Sequence, residues 1–328
     1  VVEPQRIALV LGSGGARGYA HIGIIEVLEE HGYEIVSISG TSMGALVGGL
    51  HAAGGLKTYA DWVSRLSQRD VLRLLDPSLK APGAIRADKV LAHVDEILGG
   101  VRIEDLPIPF TAVATDLLAR KEVWFQRGPL FAAIRASIAL PSVIPPVMLN
   151  GRLLADGGLM NPIPIAPTAA AHADATVAVS LAGEPHAQAS RGPVQESAEP
   201  RPVEEWVDRF RRSASAVLDR DLVRLVAGKL SRGRATTPGS AAEEVVEGEE
   251  LFGQLPPGLR TLDVMELSLE ALQNVVTRYR LAGYPPDLLI SVPKSACRTL
   301  DFHKAGEMIA LGRTLAAEAL DSGFPGSE

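Results

Sequence analysis

The sequence predicts an α/β fold built on a mostly parallel sheet, and three observations carry that prediction. Over residues 7–55, short apolar runs that end at glycine alternate with segments of helical spacing. Glycine-marked motifs sit at the junctions between the two kinds of segment, and more occur later in the chain. With 328 residues, 46% apolar and 22% charged, the chain has the composition of a globular protein able to bury a sizeable core. A strand–helix–strand–helix order of this kind folds with right-handed crossovers into parallel neighbours.

Taken in order, Ile7 to Leu11 is an apolar run ending at Gly12 and reads as a buried strand. From Gly18 to His31 the residues Ile22, Ile25 and Leu28 recur at helical spacing, and Gly32 ends the helix. Ile35 to Ser39 is the next strand, and Met43 to Ala53 a small-residue helix closed by Gly54-Gly55. Phe110 to Thr115 and Glu122 to Phe125 read as strands, followed by a helix near Leu130 to Ala139. Pro141, Pro145 and Pro146 interrupt the chain before Leu153-Leu154-Ala155 leads into Asp156. Thr176 to Leu181 is a further buried strand, and Leu288 to Val292, between Pro286 and Pro293, a late one. A last helix runs from about Lys304 to Leu320, with Met308, Leu311 and Leu315 on one face.

Residues 183–258 have a different composition and read as an insertion in a single domain whose core is 5–182 and 259–320. Glu184 to Pro202 and the acidic Ser231 to Glu250 read as mobile linkers. Between them, over about 203–230, Trp206, Phe210, Val217, Leu218, Leu222 and Leu225 interleave with Arg209, Arg211, Arg212, Arg220 and Arg224. That is an amphipathic helix with a basic face, suited either to packing on the body or a dimer contact, or to docking on a lipid surface.

Charge and composition exclude several classes. A net charge of −7 argues against a nucleic-acid partner, whose footprint is a basic stripe. No uninterrupted apolar run approaches the ~18 residues of a membrane span, and no signal peptide is visible, so a cytoplasmic protein, peripheral at most to a membrane, is expected. The first residue is Val1, so a targeting segment could have preceded it. Cys297 is the only cysteine, which rules out an intramolecular disulfide and a cysteine zinc site and reads as an ordinary thiol. The zinc-protease helix motif, a Walker loop and an EF-hand loop are absent.

Three motifs carry the chemistry. Gly40-Thr41-Ser42-Met43-Gly44 follows a strand and opens a helix, the setting in which Gly-x-Ser-x-Gly projects a serine hydroxyl from a strained turn. The helix N-terminus favours a developing anion beside Ser42. Gly12-Ser13-Gly14-Gly15-Ala16-Arg17-Gly18 ends the first strand, where backbone N–H groups turn toward the crevice at the carboxyl edge. A dinucleotide loop competes for this segment, but Arg17 stands where its third glycine is required. Arg17 itself reads as holding either the loop or a substrate head group. Asp156-Gly157-Gly158 can bring a carboxylate to the serine. The base is open at this point: a triad through His172 or His303, or direct proton transfer to an Asp156 whose pKa burial has raised.

These residues resemble the patatin-like phospholipases, especially their compact bacterial members. Thr115-Asp116-Leu117, the Arg135-Ala136-Ser137 block with Pro141 and Pro145-Pro146, and Asn161-Pro162 after Asp156 extend the likeness, which spans about 5–182 and 259–320. The resemblance implies a three-layer α/β/α fold and a Ser42–Asp156 dyad without histidine. It also implies an elbow at Gly40 and Gly44, and an oxyanion hole of Gly14, Gly15 and Ala16 completed by Arg17 and Gly18. Hydrolysis of phospholipids, lysophospholipids or neutral acyl esters follows, with no metal or cofactor. An acyltransferase using the same serine and a non-catalytic scaffold are the alternatives. Arg120-Lys121-Glu122 departs from the Thr-Gly-Glu of many relatives and, remote from the dyad in sequence, reads as surface variation. Head group, acyl length and oligomeric state are not set by the sequence.

Overall fold

Five strands form the parallel centre of the sheet, with burial most complete in β1 and β3: β1 (Arg6–Leu11), β2 (Glu34–Thr41), β3 (Phe110–Asp116), β7 (Ala175–Gly183) and β8 (Leu288–Pro293). Antiparallel strands complete it: β4 (Lys121–Phe125), β5 (Val147–Leu149) and β6 (Arg152–Asp156). The order is β5-β6-β3-β2-β1-β7-β8, with β4 paired to β3. The computed structural model describes residues 5–75, 87–141, 143–183 and 261–322. Of these, 261–268 belong to a second unit, and the remainder to the unit that contains the sheet.

Central strands in such sheets read as continuous apolar runs because both faces are covered. In β1, Ile7, Leu9 and Leu11 point into the larger core. That core is shared with α1 (Ala20–Glu30), α2 (Met43–Ala52), α3 (Leu56–Val63), α5 (Asp88–Leu98), α6 (Leu130–Ser137) and α8 (Ala305–Asp321). A further helix, α4 (Gln68–Leu75), lies between α3 and α5 in the chain. Val10 and Ala178 point the other way, onto Ile163, Ile165 and Leu281 of α7 (Thr261–Gly283). Helices therefore flank a mostly parallel sheet. No helix among the described residues is long and apolar enough to cross a membrane.

The element boundaries hold with local changes. Residues Gly15–Tyr19 form a 3-10 turn, so α1 starts at Ala20 rather than Gly18. Strand β5 and the helices over 56–98 were not read from the sequence. The β5–β6 hairpin turns on Asn150-Gly151, both at positive φ (50° and 74°), the Asn-Gly pair that two-residue hairpins favour. The linkers and the amphipathic helix expected within 184–258 lie outside the described residues.

What positions the site is the way β3 shares one of its edges. β4 lines one edge through Ala112 to Asp116. On the other, β2 pairs with Phe110 to Val113 and β6 takes over at Ala114 to Asp116. β2 runs parallel to β3 and β6 antiparallel, so the two meet end to end, Thr41 opposite Val113 and Asp156 opposite Ala114. The residue that follows Thr41 is Ser42.

Candidate active site

Ser42 sits at φ 56° and ψ −122°, a left-handed backbone costing roughly 1–3 kcal/mol in a non-glycine residue. The turn closes only over bare backbone: a Cβ on Gly44 would fall on the carbonyl of Leu11, and one on Gly40 on the carbonyl of Gly44. Ser42 N–H donates to Ser137 Oγ at 2.9 Å, and Ser137 Oγ–H donates to the Val113 carbonyl at 2.6 Å. A buried hydroxyl on α6 thus ties the turn to β3. The Ser42 carbonyl accepts from Ala45 and Leu46 N–H, which starts α2.

Ser42 Oγ–H donates to Asp156 Oδ2 at 2.5 Å, and Asp156 Oδ1 accepts from Gly158 N–H at 2.7 Å. The aspartate backbone is pinned at both ends: its N–H donates to the Ala139 carbonyl and its carbonyl accepts from Thr115 Oγ–H, each at 2.9 Å. Asp156 is 2% exposed and Ser42 9%. Burial pushes the Asp156 carboxyl up to about 6, against the opposing pull of the Ser42 and Gly158 hydrogen bonds. A carboxylate so placed is a better base near neutral pH than a free one.

The glycine loop lies against the residues just beyond both groups, Met43 and Gly158. A Cβ on Gly18 would strike the Met43 side chain, and one on Gly158 would come 2.7 Å from Ser13 Oγ. Most of its polar groups are committed: Gly12 N–H to Val179 O, Ser13 N–H to Pro162 O, Gly12 O to His21 Nε2 at 2.9 Å. Ala16, expected as an oxyanion donor, gives its N–H to the Thr299 carbonyl at 2.9 Å instead. Thr299 lies far along the chain, so no local pattern could have announced this. The N–H groups of Gly14 and Gly15 meet no acceptor among the described residues. Arg17 spans the loop, Nε to Gly14 O and a terminal nitrogen to Lys294 O, both at 3.3 Å, and burial lowers its pKa. These contacts tie the loop to Lys294.

The triad alternative finds no geometry. His172 is exposed and His303 lies half-buried in the turn before α8, and neither hydrogen-bonds to Ser42 or Asp156. His21 is fully buried, and burial drops its pKa to about 4, so the ring is neutral. Its Nε2 faces a carbonyl and therefore carries the proton.

Arg120 and Lys121 are exposed, as expected of surface variation, whereas Glu122 is half-buried. Pairing of β3 with β4 sets it opposite Thr115, and there it accepts from Asn161 Nδ2 at 2.6 Å and from Arg280 at 3.3 Å. The Asn161 carbonyl in turn accepts from Thr41 Oγ–H at 2.9 Å, one residue before the serine. The supporting roles of Ser137, Thr115, Asn161 and His21 went unread. The first three stood inside the segments that carried the family likeness, but their partners are fixed only by the tertiary fold.

The family model described as Patatin-like phospholipase matches residues 9–169. The chain is 51% identical over 341 aligned positions to an uncharacterized NTE family protein of Mycobacterium tuberculosis, covering 97% of this chain and 92% of that one. The chain belongs to the patatin-like phospholipase family. At lower identity, 32% over 173 residues, it matches half its length to 11% of the lysophospholipase NTE1 of Eremothecium gossypii. The crystal structure of VipD from Legionella pneumophila shares the fold, with a TM-score of 0.50 at 14% identity over 98% of this chain and 67% of that one.

Proposed function

We propose that this protein is a lipid acyl hydrolase with Ser42 as nucleophile and Asp156 as its base. The observation that carries the reading is the buried 2.5 Å hydrogen bond from Ser42 Oγ to Asp156 Oδ2 at a strained strand-to-helix turn. As Oγ bonds to the ester carbonyl carbon, its proton passes to Asp156 and the carbonyl π pair moves to oxygen. That oxyanion is received by the Gly14 and Gly15 N–H groups, donors typically worth about 10²–10³ in rate each. Collapse breaks the bond to the leaving alkoxide, which takes the proton from Asp156 and leaves an acyl-Ser42 ester. Water then attacks the acyl carbon and gives its proton to Asp156. The second collapse breaks the Oγ–carbon bond, returns that proton to Ser42 and frees the fatty acid.

The name of the Eremothecium relative supports a single-chain phospholipid as the first lipid to try. The test is hydrolysis of a short acyl nitrophenyl ester and then a lysophospholipid by wild type, Ser42→Ala and Asp156→Asn. Turnover by wild type alone, with both variants folded, is the expected result. Turnover that survives Ser42→Ala would refute the assignment.

A further inference from the structure

The sheet does not stop at Ser42. β3 runs on through Ala114, Thr115 and Asp116 beyond the residue that faces Thr41, and its turn to β4, with the β5–β6 hairpin, projects past the end of β2. Leu117 N–H donates to Leu153 O at 2.9 Å, and Met148 pairs with Leu153. Cross-strand partners share a face, so Leu117, Leu153 and Met148 form one row. The row lies about 10 Å from Asp156, three residues up β6 at roughly 3.3 Å each.

This tip is apolar where it should be wet. Leu118 is 70% exposed, Met148 66% and Leu117 38%. Arg120 lies in the same turn as Leu118, and Lys121 and Arg152 stand on the other face of the same tip, all three exposed. Residues 117–121 and 147–153 contain no acidic residue, although the whole chain carries a net charge of −7. The two acids that bracket the turn are already engaged. Asp116 is buried, accepts from Leu118 and Ala119 N–H and lies 4.0 Å from Arg152. Glu122 is held between Asn161 and Arg280.

Exposed aliphatic side chains among cations, on an otherwise acidic protein, match a surface whose interior is apolar and whose face is negative. We propose that the β3–β4 turn and the β5–β6 hairpin form a docking surface for anionic lipid bilayers. Leu117, Leu118 and Met148 enter the headgroup region, and Arg120, Lys121 and Arg152 contact the lipid phosphates. The inference rests on the lipid hydrolase reading and gives it a direction: the bilayer is met at the edge where Ser42 opens.

The test uses the full chain with sedimenting vesicles of phosphatidylcholine, alone or with phosphatidylglycerol. Wild type is expected to bind the phosphatidylglycerol vesicles more tightly. Leu118→Asp with Met148→Asp, and separately Arg120→Glu with Lys121→Glu, should each weaken that binding at least about tenfold, given ~1 kcal/mol per basic residue near such a surface. Hydrolysis of a soluble nitrophenyl ester should be unchanged in both pairs, while hydrolysis of vesicle-borne lipid falls with binding. Unchanged vesicle binding in both pairs would overturn the proposal. So would a change from dimer to monomer in the variants without loss of vesicle binding, which would make the patch a self-association surface. Loss of vesicle binding in a protein that never hydrolyses the ester would remove the hydrolase reading and leave the docking surface standing.

Discussion

Thr41 and Asp156 take successive places along one edge of β3, opposite Val113 and Ala114, although 115 positions apart in sequence. From that juxtaposition the serine–aspartate contact follows with no further device. A parallel strand and an antiparallel strand abut, and the turn out of one brings its hydroxyl to the carboxylate at the end of the other.

The first prediction concerns pH. In the proposed role as base Asp156 must be ionised to accept the Ser42 proton, and burial raises its pKa to about 6. kcat/KM for a soluble ester should therefore fall below about pH 6. His21 should leave no limb of its own, being neutral down to about 4. A midpoint near the ordinary carboxylate value would contradict the burial argument.

The same shift makes a stability prediction. The folded-state pKa lies above the unfolded one, so the protonated carboxyl is favoured by folding. That contribution is complete at low pH and is lost as pH rises through about 6. Asp156→Asn removes the cost of burying the charge, so above pH 7 it should unfold roughly 1–3 kcal/mol later than wild type. The advantage should fade toward pH 4. Denaturant melts at pH 4 and pH 8 check the sign.

Ser137→Ala strips the partner from both Ser42 N–H and the Val113 carbonyl, two buried groups costing about 1–3 kcal/mol each when orphaned. The expected outcome is a lower Tm together with a kcat loss of about 10-fold or more, because the elbow loses its tie to β3. An unchanged kcat at lowered Tm would reduce Ser137 to a packing residue.

His21 holds the Gly12 carbonyl of the loop proposed to receive the oxyanion. His21→Leu leaves the Gly12 carbonyl without its donor, whereas His21→Gln keeps an N–H in reach. A kcat loss of about 10-fold is expected in the first and largely restored in the second, with KM little changed. Equal losses in both would contradict a role for this hydrogen bond.

Gly157→Ala should be among the worst single-methyl changes, because the Cβ would fall on the Val113 carbonyl and within 3.0 Å of Thr41 Cγ2. Parting the ends of β2 and β6 should cost about 3 kcal/mol and most of the activity. Gly306→Ala, with nothing within 4 Å, is the control and should melt like wild type.

Much of this was legible in the chain because it is local. The strand–turn–helix grammar placed Ser42 at an elbow, and burial on both faces made the central strands read as apolar runs. The hairpin at Asn150-Gly151 carried a plain turn signal that went unread beside the prolines before it. What could not be read is set by strand order. That β2 and β6 share an edge of β3, that Glu122 reaches Asn161 through β4, and that Thr299 takes the Ala16 amide all depend on pairings between distant segments. Glu122 is remote from Asp156 in sequence and reaches Asn161 only through the register of β4 on β3.

The most direct measurement is the rate and site of fluorophosphonate attachment, read by mass spectrometry, in wild type and Asp156→Asn. The account predicts a single adduct on Ser42, formed at least about 10³-fold more slowly in the asparagine variant. Attachment at another serine, or equal rates in the two proteins, would contradict the claim that Asp156 takes the Ser42 proton.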